Sequence, residues 1–322
     1  MGVTSAAETN FDDGEAAYGR GDYAAALDNF APLADQGDAR AQSLLGFMYY
    51  AGRGVDQDFT QAVKWYQAAA DQGDALAQYN LGAVYQQGSG VAKNNRSAIK
   101  WFRKAAEQGN VNAQLALGVI YQQGIGTGQN IDEAAKWYRL AAGQGNAEAQ
   151  YQVATFLVDG LLGTKDEEQA ATLFGLAAEQ GHARAQNDMG SLYDSGVGLP
   201  RDHKKAVRYF RRAAEQGLPE AQNNIGIMYE NGRGVMVNFV EAGEWYYKAA
   251  RQGDAEGQFA LGNMHGYGRG LDQDMVEAHA WYELAAAQGH KSAMQNRDLV
   301  ARELSAEQLG KAQELARVRR QQ

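Results

Sequence analysis

The chain has 322 residues, with a formal net charge of −9 and no cysteine. The negative charge argues against nucleic acid as a main partner, because phosphate backbones repel an acidic chain. The lack of cysteine excludes disulfides and thiolate metal sites. No run approaches the roughly 20 apolar residues that span a bilayer, so we expect a protein that is not integral to a membrane.

The first elements are an irregular tail and a short helix pair. Residues 1–10 have neither the basic nor the apolar region of a signal peptide and are predicted to be disordered. Residues 11–37 follow as a helix pair with Ala26, Phe30 and Leu33 in its core. We expect this pair to resemble a tetratricopeptide unit and to cap an array. The residues do not decide the compartment. A periplasmic or secreted protein whose signal peptide has been removed is favoured over a cytoplasmic one.

From residue 38 to residue 289 the chain repeats every 36 residues, which makes seven repeats. The marker is the dipeptide Gln-Gly, which keeps its step without one insertion or deletion. Alanine, glutamine, glycine, tyrosine and tryptophan recur at other positions with the same period. Such a period predicts a solenoid rather than a globular domain. The Gln-Gly dipeptides begin at Gln36, Gln72, Gln108, Gln144, Gln180, Gln216, Gln252 and Gln288.

Each repeat is predicted to hold two helices. In the first repeat, apolar residues from Ala41 to Tyr49 follow helical spacing and define helix A, and those from Ala62 to Ala70 define helix B. Asp58 is a good N-cap for helix B, and Asp or Asn occupies that position in every repeat. Gly46 lies within helix A, where glycine costs roughly 1 kcal/mol against alanine. We therefore expect a bulky side chain, such as that of the tryptophan column, to pack against it.

Two stretches depart from the pattern. The fourth repeat has Ala154, Leu157 and Leu173 where its neighbours have glycine, tyrosine and an aromatic residue. This difference reflects either a local change of curvature or drift. Residues 290–322 are predicted to be capping helices, because the array stops after Gly289 and Ser305 precedes a final helical stretch.

The pattern Ala-x-x-x-Leu-Gly-x-x-Tyr, then Gly-x-Gly, then Ala-x-x-Trp-Tyr-x-x-Ala-Ala-x-Gln-Gly resembles the Sel1-like repeat, a relative of the tetratricopeptide repeat. The resemblance covers residues 38–289. It implies an all-α fold, a right-handed superhelical α-solenoid of antiparallel helix pairs in which helix A lines a concave groove. It also implies a role as adaptor or regulator in protein complexes, and many bacterial members of the family are exported.

By analogy with tetratricopeptide domains, one stripe of helix A faces the groove, and its residues vary from repeat to repeat. In the first half of the chain they are aromatic, aliphatic or amide residues, which suit an amphipathic helix or an extended peptide. In the second half they are acidic or amide residues, which suit a basic segment. The predicted partner-binding residues are Phe47, Tyr50, Tyr79, Gln86, Leu115, Val119, Gln122, Tyr151, Asp194, Asn223, Glu230, Glu256, Phe259 and Asn263.

Catalytic and cofactor chemistry has little support in the sequence. The five histidines occupy unrelated repeat positions without metal-ligand spacing, and the Gly-x-Gly loops lack the preceding strand of a dinucleotide site. We therefore predict no catalytic residue, no metal and no cofactor. The preferred hypothesis is a non-catalytic adaptor, monomeric alone, that binds a peptide, helix or loop of another protein in its groove.

Two other functions stay open. One is an inhibitor or immunity protein that sequesters a toxin or effector enzyme. The other is a hydrolase of the penicillin-binding Sel1-like type, which is disfavoured because those relatives carry a disulfide in each repeat and this chain has no cysteine.

Overall fold

The computed structural model describes residues 10–320, and all its regular elements there are α-helices, eighteen in number. The all-helical prediction is confirmed. Residues 1–9 of the predicted disordered tail, and residues 321–322, lie outside the described part. The helices are α1 (Phe11–Gly19), α2 (Tyr23–Asp35), α3 (Ala39–Ala51), α4 (Phe59–Asp71), α5 (Ala75–Gln87), α6 (Asn95–Glu107), α7 (Val111–Gln123), α8 (Ile131–Gly143), α9 (Ala147–Asp159), α10 (Glu167–Glu179), α11 (Ala183–Ser195), α12 (His203–Glu215), α13 (Pro219–Asn231), α14 (Phe239–Arg251), α15 (Ala255–Tyr267), α16 (Met275–Ala287), α17 (Lys291–Ala301) and α18 (Ala306–Arg320).

Within each repeat, the helices begin and end at the capping residues that the sequence predicts. In the first repeat, α3 is helix A and α4 is helix B. The Asp58 carboxylate accepts hydrogen bonds from the backbone N–H groups of Thr60 and Gln61, at 2.8 and 3.0 Å. Gly52 and Gly73 follow the two helices with φ of 66° and 96°, a conformation that costs glycine little. The N-cap prediction for helix B is confirmed in all seven repeats.

The glycine within helix A lies against an aromatic ring of helix B. A Cβ atom built on Gly46 would lie 2.7 Å from Cδ1 of Tyr66, well inside van der Waals contact. The prediction of a bulky neighbour is confirmed, but tryptophan was the wrong residue. Trp65 is adjacent in sequence and points about 100° around the helix from Tyr66, so only the tyrosine faces Gly46. The same contact joins Gly82 to Phe102 and Gly226 to Tyr246.

The tryptophans pack elsewhere in the core, between successive repeats. Trp101 lies in one cluster with Leu81 of its own helix A and Tyr66 of the preceding helix B, and its ring is covered by the Lys104 ammonium group at 4.3 Å from the centroid. Lys248 covers Trp245 in the same way, at 3.8 Å. Apart from Trp65, which is half-buried, the tryptophans of this column are at most 8% exposed and belong to the core of the array.

Buried glutamines link the helices both within a repeat and between successive repeats. The Gln78 side chain donates from Nε2 to the Ala70 carbonyl at the end of the preceding helix B. Its Oε1 accepts a hydrogen bond from Nε2 of Gln108, which lies at the end of its own helix B, at 2.8 Å. Equivalent bonds join Gln144 to Gln114 and Gln252 to Gln222. The two glutamine columns of the sequence therefore form a hydrogen-bonded ladder along each part of the array.

By packing, the chain divides into two units within α9, the N-terminal unit ending at Val153 and the C-terminal unit beginning at Ala154. The division falls in the repeat that departs most from the pattern. In the N-terminal unit, α1 and α2 cover α3, with Phe30 at 0% exposure in the shared core. In the C-terminal unit, both α17 and α18 pack against α16. Ser305 and Gln308 form a capping box at the start of α18, because the backbone N–H of each donates to the side-chain oxygen of the other.

A histidine is buried in the last full repeat. His279 is 3% exposed, and its Nδ1 atom has no hydrogen-bond partner among the described residues. Burial lowers its pKa from the ordinary value of 6.5, because the interior disfavours the imidazolium form. Val63 and Val207 occupy the same position in other repeats.

We expect Gly82→Ala to destabilise the protein by about 1–2 kcal/mol. The added methyl group would collide with the Phe102 ring, and such overpacking costs about 1–3 kcal/mol, offset by about 1 kcal/mol of helix propensity. Gly143→Ala is the control, because nothing lies within 4 Å of its added methyl group, and it should stabilise by up to about 1 kcal/mol. Urea denaturation measures both changes, and equal effects would contradict the packing role of Gly82.

We expect His279→Val to reduce the loss of stability on acidification. Because the folded-state pKa of His279 lies below 6.5, the unfolded chain binds the proton first as the pH falls. The stability that neutral, buried His279 contributes is fully present above about pH 6.5 and is lost progressively below it. Urea denaturation at about pH 8 and pH 5.5 should show that the variant gains relative to the wild type at the lower pH. The same free-energy difference at both pH values would refute the prediction.

Candidate functional site

We call the face of helix A that the sequence predicts to line the groove the outward stripe. In each unit, this stripe is continuous across neighbouring repeats. In the N-terminal unit, the Tyr50 hydroxyl of α3 donates to Oε1 of Gln87 at the end of α5, at 2.9 Å. In the C-terminal unit, Nδ2 of Asn224 on α13 donates to Oδ1 of Asn187 on α11, also at 2.9 Å. Side chains of successive A helices thus lie next to each other and form a shared surface.

Three of the predicted residues meet in the N-terminal unit. Phe47, Tyr50 and Tyr79 surround a shallow cleft of about 140 Å³, with Tyr66 at its base. The rings are held by their neighbours, since Tyr50 packs edge-on against Phe59 and Tyr79 is tilted against Phe102. We call this the aromatic cleft, and its lining is Phe47, Tyr50, Tyr66, Tyr79, Asn80, Ala83 and Val84.

Tyr66 is the aromatic residue of this cleft that the sequence did not predict. Its side chain is 1% exposed, and burial raises the pKa of its phenol, which keeps the hydroxyl protonated. In other repeats the equivalent hydroxyl has an internal acceptor. Tyr138 donates to Gln122 at 2.8 Å and Tyr246 to Glu230 at 2.7 Å. The Tyr66 hydroxyl makes no such bond within residues 10–320, so its donor is available to a bound segment.

The rest of the N-terminal stripe combines apolar and amide side chains. Val119 is 37% exposed, and Leu115 and Gln86 are half-buried. Gln122 uses its Oε1 to accept the Tyr138 hydroxyl, so this amide is partly occupied. Tyr151, the last predicted residue of this half, is half-buried on α9.

The acidic residues predicted in the second half are largely neutralised within the C-terminal unit. Oδ2 of Asp194 lies 2.5 Å from Nη1 of Arg233, and its Oδ1 lies 2.8 Å from Nδ1 of His203. Glu230 accepts the Tyr246 hydroxyl and lies 3.7 Å from Nη1 of Arg269. Each arginine comes from the loop of the following repeat. These two carboxylates therefore already have cationic partners within the chain, which goes against the expectation that they bind a basic segment of another protein.

Other predicted residues of this half also make internal contacts. Oδ1 of Asn263 accepts the Tyr282 hydroxyl at 2.8 Å, and the Phe259 ring stacks on His290 at 4.4 Å. Glu256 is exposed and lies 3.3 Å from Nε2 of His290. Asn223 is only 9% exposed, which contradicts its assignment to a binding surface. The equivalent residue of the second repeat is the larger Tyr79, which lines the aromatic cleft.

Two of the five histidines cap helices. His182 and His290 are N-caps, each accepting through Nδ1 the backbone N–H three residues on. Among the described residues, no group of three or more histidines and carboxylates is placed to hold a metal ion. Within residues 10–320, no helix combines the length and the apolar character that crossing a membrane requires.

Comparison with known proteins gives one family. The pattern of the Sel1 repeat matches seven consecutive segments, which together run from residue 39 to residue 290. No curated protein matches the chain. The seven segments are 39–74, 75–110, 111–146, 147–182, 183–218, 219–254 and 255–290.

Two solved structures are similar in both sequence and fold. A protective antigen of uropathogenic Escherichia coli strains, described as displaying an SLR fold, is 31% identical, with a TM-score of 0.65; the match covers 96% of this chain and 75% of that one. A Sel1 repeat protein of Oxalobacter formigenes is 33% identical, with a TM-score of 0.66, and the match covers 76% and 97%. An immunity protein of Pseudomonas aeruginosa is 19% identical over 68% of this chain and 82% of that one, at a TM-score of 0.36, too distant to bear on function.

We expect a double-mutant cycle of Asp194→Asn and Arg233→Gln to give a coupling energy of about 0.5–1 kcal/mol. The pair is close but partly exposed, and pairs of this kind contribute little more. Urea denaturation of the four proteins measures the coupling, which should shrink in about 1 M NaCl. A coupling energy of zero at low salt would show that Asp194 is free for a partner after all.

Proposed function

The chain belongs to the Sel1 repeat family, and on that premise we propose that it is a non-catalytic scaffold that binds a segment of another protein. The binding surface is the outward stripe of helix A in the N-terminal unit. The observation that carries the proposal is the aromatic cleft, in which three rings surround Tyr66, whose hydroxyl makes no hydrogen bond within residues 10–320.

The size of the aromatic cleft favours one or two side chains of a protein over a small molecule. Its volume of about 140 Å³ is below the range of about 300–1,000 Å³ that is usual for small-molecule pockets. Tyrosine and phenylalanine offer contact area at a low entropic cost, particularly where neighbouring rings already hold them. An apolar side chain in the cleft, with a carbonyl oxygen beside it accepting from Tyr66, satisfies both features.

The surface next to the cleft is also apolar. Leu76 is 46% exposed on α5, and Val119 continues the apolar character onto α7. An amphipathic helix or an extended peptide with apolar residues on one face would cover these positions together. In the C-terminal unit the predicted carboxylates are already paired, so the N-terminal unit is the better surface.

The alternative functions make different predictions. An inhibitor or immunity protein would use the same surface, but its partner would be an enzyme that loses activity in the complex. The hydrolase alternative has little support, since His182 and His290 cap helices and His203 is paired with Asp194. We further propose that the free chain is monomeric, and that it is periplasmic or secreted.

We expect Tyr66→Phe to weaken partner binding by about fivefold. The variant removes one hydroxyl that would bond to the partner, worth about 1 kcal/mol, and Phe102 and Phe210 show that the position accepts phenylalanine. The partner is first captured from the source organism with a photo-crosslinking amino acid at Val119 of the full chain. Titration calorimetry with the captured protein then measures the affinity.

Two further variants complete the test. Tyr79→Asn, which introduces the residue of the equivalent position in the fifth and sixth repeats, should weaken binding by more than about tenfold, since it removes an aromatic contact. Leu140→Lys is the control, because Leu140 is exposed on helix B and Lys104 occupies the equivalent position. Unchanged affinity in both cleft variants would refute the groove proposal. An assay of the captured protein's own activity separates inhibitor from adaptor.

A further inference from the structure

A second cleft, of about 610 Å³, lies on the side of the C-terminal unit formed by the B helices. It opens among α14, α16 and α18, and Gln258 of α15 also lines it. Its principal lining residues are Tyr247, Arg251, Trp281, Leu284, Arg319 and Arg320. We call this the cationic cleft, since it contains three arginines and no acidic residue lines it.

The last helix builds one wall of this cleft. Ala316 of α18 packs with Trp281 and Leu284 of α16. The Arg319 guanidinium lies over the Trp281 ring, 4.2 Å from its centroid, and its Nη2 atom is 2.7 Å from Oε2 of Glu277. These contacts hold the end of α18 beside α14 and α16, so the wall is a fixed part of the fold.

The charge of the cationic cleft is only partly used by internal contacts. Arg319 is paired with Glu277 through Nη2, but its Nη1 atom is buried without a hydrogen-bond partner among the described residues. Arg251 and Arg320 make no ion pair within residues 10–320. The net charge of the chain is −9, so a cluster of available arginines goes against the overall balance.

The repeat pattern shows that this charge is specific to the cleft. The position of Arg251 is the last residue of helix B, and most other repeats have an acidic residue there. In the next repeat the same position is Ala287, which also lines the cleft. The two repeats that form the cleft are thus the ones that lack the acid, apart from Gly143 in the third. The residues at this position are Asp71, Glu107, Gly143, Glu179, Glu215, Arg251 and Ala287.

A favourable interaction with the helix dipole is the other reason for arginine at a helix end. Arg251 and Arg320 both stand in the last turn of a helix, where a cation is stabilised by about 0.3–1 kcal/mol. That effect would apply equally to the other B helices, four of which end in an acidic residue instead. The dipole therefore does not account for the difference between repeats.

We propose that the cationic cleft binds an acidic peptide segment of a partner protein. The carboxylates of the segment would pair with Arg251 and Arg320, whose planar guanidinium groups accommodate carboxylates in a bidentate manner. An apolar or aromatic side chain between them would pack on Tyr247, which is 47% exposed. The volume suits several residues, in contrast to the aromatic cleft. This site is separate from the groove and does not depend on the function proposed for it.

The test uses the full chain and a fluorescein-labelled peptide, Glu-Tyr-Glu-Glu-Leu-Glu, in fluorescence anisotropy at about 50 mM NaCl. The double variant Arg251→Glu/Arg320→Gln should bind the peptide at least about tenfold more weakly than the wild type. Glutamate is already the residue of three equivalent positions, so the fold should tolerate it. The control, Arg96→Glu/Arg139→Gln, changes the net charge equally at exposed arginines of the N-terminal unit and should bind within about twofold of the wild type.

Several results would overturn the proposal. One is the absence of binding to the wild type, and another is an equal loss in the control variant, which would indicate a general charge effect. Equal affinity for a peptide with glutamine in place of glutamate would exclude carboxylate recognition. Displacement of the peptide by about 1 mM pyrophosphate, but not by chloride of matched ionic strength, would assign the cleft to phosphate instead. Thermal unfolding of each variant checks that α18 still packs on α16.

Discussion

The buried amide ladder is the interaction on which the array depends. In six of the seven repeats, the glutamine of helix A donates to a carbonyl of the preceding helix and accepts from the glutamine that ends its own helix B, as Gln78 does with Ala70 and Gln108. A buried amide that loses its partner costs about 1–3 kcal/mol, so each side chain strongly disfavours any other placement of the neighbouring repeat. Apolar packing depends less on direction, so the amide hydrogen bonds fix the orientation of one repeat relative to the next.

The contact of glycine with an aromatic ring complements the ladder within each repeat. Gly46 and Tyr66 set how closely helices A and B approach, while bonds such as that from Gln78 to the Ala70 carbonyl set how one repeat meets the next. The outward stripe of helix A takes part in neither contact. Residues such as Tyr79 and Val119 can therefore vary without disturbing the scaffold, and the aromatic cleft is one product of this freedom.

Much of the fold follows from local chemistry that the sequence displays directly. The 36-residue period, the N-caps such as Asp58 and the terminal glycines such as Gly73 predict the helices and their ends. The choice between Trp65 and Tyr66 as the neighbour of Gly46 needed the packing, since both are large and adjacent. The pairing of Asp194 with Arg233 crosses 39 residues, one period and three more, and becomes visible only when the loop positions are compared between repeats. The cationic cleft was beyond prediction, because no periodicity indicates where α18 packs.

The ladder has a consequence for how such a chain changes over generations. Within the N-terminal unit, the bonds that join Gln72 to Gln42, Gln108 to Gln78 and Gln144 to Gln114 are the same bond repeated. Recombination between equivalent codons of two repeats would remove or add 36 residues and leave every remaining glutamine with the kind of partner it had before. The array could thus lengthen, shorten or exchange binding surfaces in single genetic steps that preserve its hydrogen-bonded ladder.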